Sequence, residues 1–103
     1  MPIIWYNHNI MIVGTIKITL YTPWVHSLKE KRMVIKSICG KASAKFNIAI
    51  AEVEEQDVHQ TIVIGAACVT NEMSHCDSML DNLLGFIESN TEAEIIKVER
   101  EII

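Results

Sequence analysis

Apolar and polar residues alternate along residues 11–22, which read MIVGTIKITLYT. Ile16 and Ile18 fall on one side of this segment, and Lys17 and Thr19 fall on the other. A period of two residues is typical of a strand that is buried on one side. The pattern therefore predicts that the periodic part of the chain opens with a half-buried β-strand.

The period changes after this strand. Apolar residues recur at helical spacing through 28–46, which predicts a first helix. The patterns of 47–55 and 61–71 predict two further strands, that of 74–90 a second helix, and that of 92–103 a last strand. The third strand is apolar on both faces and is expected at the centre of the sheet. The last strand carries many charges and is expected at an edge.

The order strand, helix, strand, strand, helix, strand predicts an α+β fold of the ferredoxin-like type. In this fold two right-handed β-α-β units form one four-stranded antiparallel sheet, with both helices on one face. The other face would be bare, and it is too apolar to face water without a partner. We therefore expect a homodimer through the open sheet face, or docking of the N-terminal residues there. That face would carry Val13, Thr15, Tyr21, Ala49, Ala51, Val53 and parts of the third strand.

The chain has 103 residues, half of them apolar, which favours a single domain over 11–103. Residues 1–10 are interpreted as an N-terminal extension, because they lie outside the periodic pattern and do not resemble a secretory signal. No apolar run reaches the roughly 18 residues of a membrane span. Cys39, Cys68 and Cys76 are expected to be small buried hydrophobes in a reducing compartment, so we expect a cytoplasmic protein.

Ser27 and Glu30 fit a capping box at the start of the first helix, and Asn71 or Ser74 is expected to cap the second. The first helix holds six of the nine cations and one carboxylate, a net +5, which leaves −9 elsewhere in a chain of net −4. Lys31 lies near the apolar stripe, and we expect its amine to extend to solvent. A locally basic helix on an acidic body can meet a phosphate or an acidic partner.

The start of the first helix is the best candidate for a binding site, because free N–H groups and the helix dipole favour an anion there. The alternative is that the cap is purely structural and that nearby cations pair with acids of a neighbouring element. The candidate anion or RNA contacts are His26, Ser27, Lys29, Arg32 and Lys36.

A second polar group lies around the connection between the second and third strands. Carboxylate and imidazole groups can perform acid–base chemistry or bind a metal, but a solvated hairpin tip is the favoured interpretation. With no recognisable catalytic or nucleotide-binding motif, we predict no catalytic residue, no metal and no cofactor. The third strand has no aromatic residue, which argues against base stacking on the sheet. The polar group comprises Glu52, Gln56, Asp57, His59 and Gln60.

Residues 26–32 read HSLKEKR and resemble the signature of the YlxP-like family of small bacterial proteins, a domain of unknown function. The similarity extends from residue 11 to about residue 102, although His59 stands where the family often has an aromatic residue. This resemblance implies a ferredoxin-like fold and supplies no catalytic residues. Genes of such proteins often lie near those for translation initiation and ribosome maturation factors, which implies a role around the small ribosomal subunit.

These observations favour a non-enzymatic accessory protein that associates with the ribosome or its RNA through the basic first helix. One alternative is a dimeric module that binds a small anionic ligand or another protein. Another is an enzyme that uses Glu52, Asp57 and His59.

Overall fold

The computed structural model describes residues 11–103, so the expectations for residues 1–10 lie outside the described residues. The order of elements is the predicted one, and each boundary lies within two residues of the expected position. The elements are β1 (Ile12–Tyr21), α1 (Leu28–Lys45), β2 (Ala49–Glu54), β3 (Thr61–Thr70), α2 (Met73–Ser89) and β4 (Glu94–Ile102).

The four strands form one antiparallel sheet in the order β2-β3-β1-β4. This arrangement confirms the ferredoxin-like α+β fold, the central position of β3 and the edge position of β4. Each helix follows a strand and returns the chain to the opposite end of the sheet, as a β-α-β unit requires. The β2–β3 connection is long and β2 is bulged at Glu52/Glu54, as the absence of glycine from this hairpin predicts.

One face of the sheet carries the core. Ile16 pairs with Ala66 and Ile18 with Ile64 across β1 and β3, and these side chains are buried beneath both helices. Burial of such apolar surface is the main stabilising contribution to the fold. The helices contribute Ile38 and Ala42 from α1 and Cys76, Leu80, Leu83 and Ile87 from α2.

Helix α2 packs directly against the sheet at Gly14. A Cβ atom at this position would lie 2.1 Å from the Sγ atom of Cys76, so only glycine leaves room for the helix. The Cys68 and Cys76 sulfurs are 3.8 Å apart and both side chains are buried, as expected for small hydrophobes. Burial raises the pKa of the Cys76 thiol.

The start of α2 differs from the prediction. Its N-cap residue is Glu72, and no side chain caps the first turn. Either Asn71 or Ser74 was the expected cap, and neither is: Asn71 lies one residue before the N-cap, and Ser74 lies inside the first turn because α2 begins at Met73. The Thr70 hydroxyl instead accepts a hydrogen bond from the Glu72 backbone N–H and stabilises the turn that precedes the helix.

Candidate nucleic-acid interface on helix α1

Ser27 and Glu30, the predicted capping residues, both bond the first turn of α1, although the Glu30 carboxylate bonds the backbone N–H of His26 rather than that of the N-cap Ser27. Ser27 has extended backbone dihedrals, and its Oγ accepts a hydrogen bond of 3.0 Å from the Glu30 backbone N–H. The Glu30 carboxylate accepts a hydrogen bond of 2.8 Å from the His26 backbone N–H. This carboxylate therefore lies at the positive end of the helix dipole, where an external anion would otherwise be favoured.

Lys31 is the largest departure from the sequence-based expectation. Its side chain is 1% exposed, so the prediction that its amine extends to solvent is wrong. Nζ donates hydrogen bonds to the carbonyl oxygens of Glu55 at 2.5 Å and Val58 at 2.6 Å. These groups replace water around the ammonium, which removes the reason for it to reach the surface. Lys31 thereby joins α1 to the β2–β3 hairpin.

Glu52 is the charged partner of Lys31. Its Oε2 lies 3.1 Å from Nζ but makes no aligned hydrogen bond, so charge rather than directionality holds it there. Glu52 lies on the helix-facing side of β2, opposite Ile64, and is half-buried. A buried ammonium requires such compensation, because an unpaired charge in the interior costs several kcal/mol.

The outward side of α1 has the opposite character. Lys29, Arg32 and Lys36 follow at spacings of three and four residues, so they lie on one face of the helix, and all three are exposed. We name these three residues the outer stripe. Lys41 and Lys45, further along α1, are also exposed, and Lys45 lies 5.2 Å from the centre of the Phe86 ring.

Ion pairing distinguishes the five exposed cations of α1 from the other four cations of the protein. Over residues 11–103, no carboxylate lies within 4 Å of the side-chain nitrogens of the three outer-stripe residues or of Lys41 and Lys45. The alternative, in which cations near the helix start form ion pairs with acids of a neighbouring element, is therefore not supported. The other four cations each have a carboxylate partner. These paired cations are Lys17, Lys31, Lys97 and Arg100.

The polar group of the β2–β3 hairpin is not assembled as a single site. Glu52 points toward Lys31, whereas Asp57 and His59 are exposed at the hairpin tip with Gln56. The Gln60 amide donates hydrogen bonds to the carbonyl oxygens of Pro23 and Val25, at 2.9 and 3.2 Å. Within the described part of the chain, no three histidine, cysteine, aspartate or glutamate side chains are placed to hold a metal ion.

The fold does bring the two candidate groups together. Because Lys31 and Gln60 fix the hairpin to the start of α1, His26, Asp57 and His59 line one shallow depression beside the first turn. Sequence reasoning treated these residues separately, since about thirty positions separate His26 from the tip. His26, at one side of this depression, precedes Lys29 of the outer stripe by three residues in the sequence.

The open sheet face is a broad trough of about 800 Å³. Lys17 crosses it, with Nζ 2.5 Å from a Glu54 carboxylate oxygen and 3.6 Å from a Glu99 oxygen. The hydrogen bond to Glu54 is the main reason that the pKa of Lys17 is raised. The floor is formed by the small residues Ala49, Ala51, Gly65 and Ala67.

Among the described residues, no helix is both long enough and apolar enough to cross a bilayer. The fold and the site define a small ferredoxin-like α+β protein with a cationic outer helix and an open sheet. The chain belongs to the family described as "Protein of unknown function (DUF503)", whose model matches residues 13–100, and this confirms the resemblance seen in the sequence.

One natural relative supports the family, and one designed protein of known structure supports the fold. The chain is 40% identical over 68 residues to the uncharacterized protein YlxP of Bacillus subtilis (strain 168), which covers 66% of this chain and 74% of that protein. Among solved structures it is similar to the de novo designed protein Foldit4, with a TM-score of 0.55 over 91% of this chain and 97% of the other. The identity to that design is 13%, so it bears on the fold alone.

Proposed function

We propose that this protein is a non-enzymatic accessory factor of the cytoplasm that binds RNA of the small ribosomal subunit through the outward side of α1. The observation that carries the proposal is the separation of paired from unpaired cations. All five cations without a carboxylate partner in residues 11–103 lie on this one helix. The family resemblance supplies the choice of ribosomal RNA as the ligand.

The charge distribution favours a polyanion with repeated phosphate groups over a single small anion. The first turn already holds the Glu30 carboxylate, which competes with an anionic metabolite at the helix start. The outer stripe extends the positive charge away from that point, over eight residues and about 10 Å of helix. Phosphates repeated along a nucleic acid can engage such a row, and each contact releases a counterion.

Because the net charge of the protein is −4, we expect nucleic acid to bind only at the basic helix and not over the rest of the surface. Acidic side chains elsewhere repel a nucleic acid that approaches from another side, which orients the encounter toward α1. Lys29, Arg32 and Lys36 would contact phosphates, and the exposed His26 would lie at one end of this contact. Such contacts fix position on RNA without reading its sequence.

The test is co-sedimentation of the full-length protein with small ribosomal subunits over a series of salt concentrations. The variant K29Q/R32Q/K36Q removes the outer stripe. Its affinity should fall about tenfold or more, and the slope of log affinity against log salt should become shallower by about 2–3.

The matched control is K17Q/K97Q/R100Q, which removes the same number of charges from cations that have carboxylate partners. It should lose much less affinity and keep most of the salt slope. Equal losses of affinity in the two triple variants would show that binding depends only on the net charge of the protein and not on α1. Unchanged binding of the outer-stripe variant would refute the proposal.

Self-association through the open sheet face is a second candidate role, favoured by a specific observation. The trough floor consists of alanines and a glycine, so a second sheet can approach closely, and two sheets pack about 10 Å apart. Val69 and Tyr21 on the same face are 64% and 39% exposed, which adds apolar surface that a second copy would bury.

Light scattering during gel filtration tests the homodimer. Ala67→Arg places a long cation on the trough floor and should halve the mass of the particle, whereas Ala44→Arg on the exposed side of α1 should leave it unchanged. A monomeric full-length protein would exclude this role and would leave the proposed RNA contact intact.

A further inference from the structure

A groove lies beside the outer stripe, between α1 and the connection from α2 to β4. Two large apolar side chains are exposed there, Trp24 at 37% and Met33 at 66%. The groove has a volume of about 360 Å³, within the range of ordinary small-ligand sites. We name it the Trp24 groove; it is lined by Trp24, Glu30, Met33, Val34, Ser37, Ile38, Asn90, Thr91 and Glu92.

The wall formed by α1 has a defined pattern. Lys29, Met33, Ser37 and Lys41 follow one another at intervals of four residues, so they form one row along the helix. The lysines stand at the two ends of this row, about 18 Å apart from the helical rise. The middle of the row is uncharged and borders the groove.

The groove itself is unsuited to a phosphate. Glu30 and Glu92 contribute carboxylates to its lining, and the cations lie outside it. Phosphates would therefore remain at the lysines, while an uncharged group between them enters the groove. The Glu92 carboxylate and the Ser37 hydroxyl are groups that can accept hydrogen bonds from the amino groups of bases.

We infer that the Trp24 groove receives an unpaired base of single-stranded RNA, stacked on Trp24, while flanking phosphates contact Lys29 and Lys41. This inference rests on the proposed function and names the form of RNA that the surface selects. Stacking on aromatic side chains next to a basic track is the usual way in which single strands are held. A duplex keeps its bases stacked and paired, so it can use the outer stripe but not the groove.

The test compares one 12-nucleotide single-stranded RNA with its blunt duplex, by fluorescence anisotropy with the full-length protein. Trp24→Ala should weaken single-strand binding about tenfold and leave duplex binding within twofold of the original. Trp24→Phe should retain most of the single-strand affinity, since it keeps an aromatic face. Met73→Ala is the control, because Met73 is also a large exposed apolar residue, at 53%, but is not among the residues that line the groove.

The outcomes separate this inference from the proposal on which it rests. Unchanged single-strand binding by Trp24→Ala, together with weakened binding of both RNAs by K29Q/R32Q/K36Q, overturns the groove and retains the basic helix. Full binding by the outer-stripe variant overturns both. If Trp24→Ala binds both RNAs normally but no longer sediments with ribosomal subunits, the groove holds a protein side chain and the inference is wrong.

Discussion

Lys31 and Arg32 are neighbours in the sequence, yet they lie on different sides of α1 and in opposite environments. The inner side of the helix buries Lys31 among two carbonyl oxygens and a carboxylate, whereas the outer side leaves Arg32 exposed and without an acidic partner among residues 11–103. Successive residues of a helix are rotated by about 100°, so a basic run in sequence divides between the two sides. Basic residues that are consecutive in a helical sequence therefore do not form a single positively charged surface.

The same division applies to the segment 26–32. Ser27 and Glu30 close the helix, and Lys31 attaches it to the hairpin, so these residues serve the fold. Lys29 and Arg32 make no ion pair within residues 11–103. Substitutions on the two sides should therefore separate stability from binding.

The largest effect is expected at Lys31. Lys31→Met keeps the unbranched apolar part of the side chain but leaves two carbonyl oxygens and the Glu52 carboxylate without their ammonium. The free energy of unfolding should fall by about 3–5 kcal/mol, because one partner of a buried charge pair is removed. Urea denaturation measures this loss.

Lys29→Met is the control for that experiment, since it makes the same chemical change on the outer side. It should alter the free energy of unfolding by less than about 0.5 kcal/mol. If Lys31→Met were as mild as Lys29→Met, water would be able to replace the ammonium, and the attachment of the hairpin to α1 would not depend on Lys31.

The sequence predicts the fold well because the evidence for it is local. Strand alternation in β1, the apolar stripe of α2 and the capping box of α1 each depend on residues within a few positions of one another. These local features fix the element order, and the right-handed crossover rule then leaves few topologies.

The burial of Lys31 was beyond sequence reasoning because it depends on a distant segment. The carbonyl oxygens that accept its hydrogen bonds belong to Glu55 and Val58, and Glu55 adopts a positive φ of 58° in the hairpin. No glycine in the sequence signals this backbone conformation, because the residue that adopts it is a glutamate. The Trp24 groove was missed for the same reason, since its walls come from two segments that are far apart in the sequence, 24–38 and 90–92.

A smaller effect is expected from the two helix starts. Ser27→Ala removes the hydroxyl that accepts the Glu30 N–H and should lower the free energy of unfolding by about 1 kcal/mol. Ser74→Ala is the matched control, because α2 has no side-chain cap and Ser74 lies inside its first turn. It should change stability by only a few tenths of a kcal/mol. Equal losses at both serines would contradict the assigned caps.

Cys39 is half-buried on α1, so the reactivity of its thiol measures how accessible this part of the helix is to solvent. Burial, and to a lesser degree the negative charge of Glu52, raises the pKa of the Cys39 thiol. A higher pKa means less thiolate at pH 8, so iodoacetamide should label Cys39 more slowly in the folded protein than in urea, with the rate rising as the pH increases. Glu52→Gln should accelerate the labelling. Equal rates in the folded and unfolded protein would show that the flank is open to solvent.

The smallest effect concerns the paired and unpaired cations of the surface. Arg100 pairs with Asp77 and Asp81, one turn apart on α2, so Arg100→Gln leaves two carboxylates facing each other. The free energy of unfolding should fall by about 0.2–1 kcal/mol at low salt, and the loss should shrink as salt screens the charges.

Lys36→Gln should instead leave stability unchanged or slightly raised, because Lys36 has no carboxylate partner in the described part of the chain and lies near Arg32. Urea denaturation of both variants at low and high salt makes the comparison. A salt-sensitive loss for Lys36→Gln equal to that of Arg100→Gln would reveal a carboxylate that already neutralises Lys36. The outer stripe would then have less charge available for phosphates, and the distinction between the two sides of α1 would weaken.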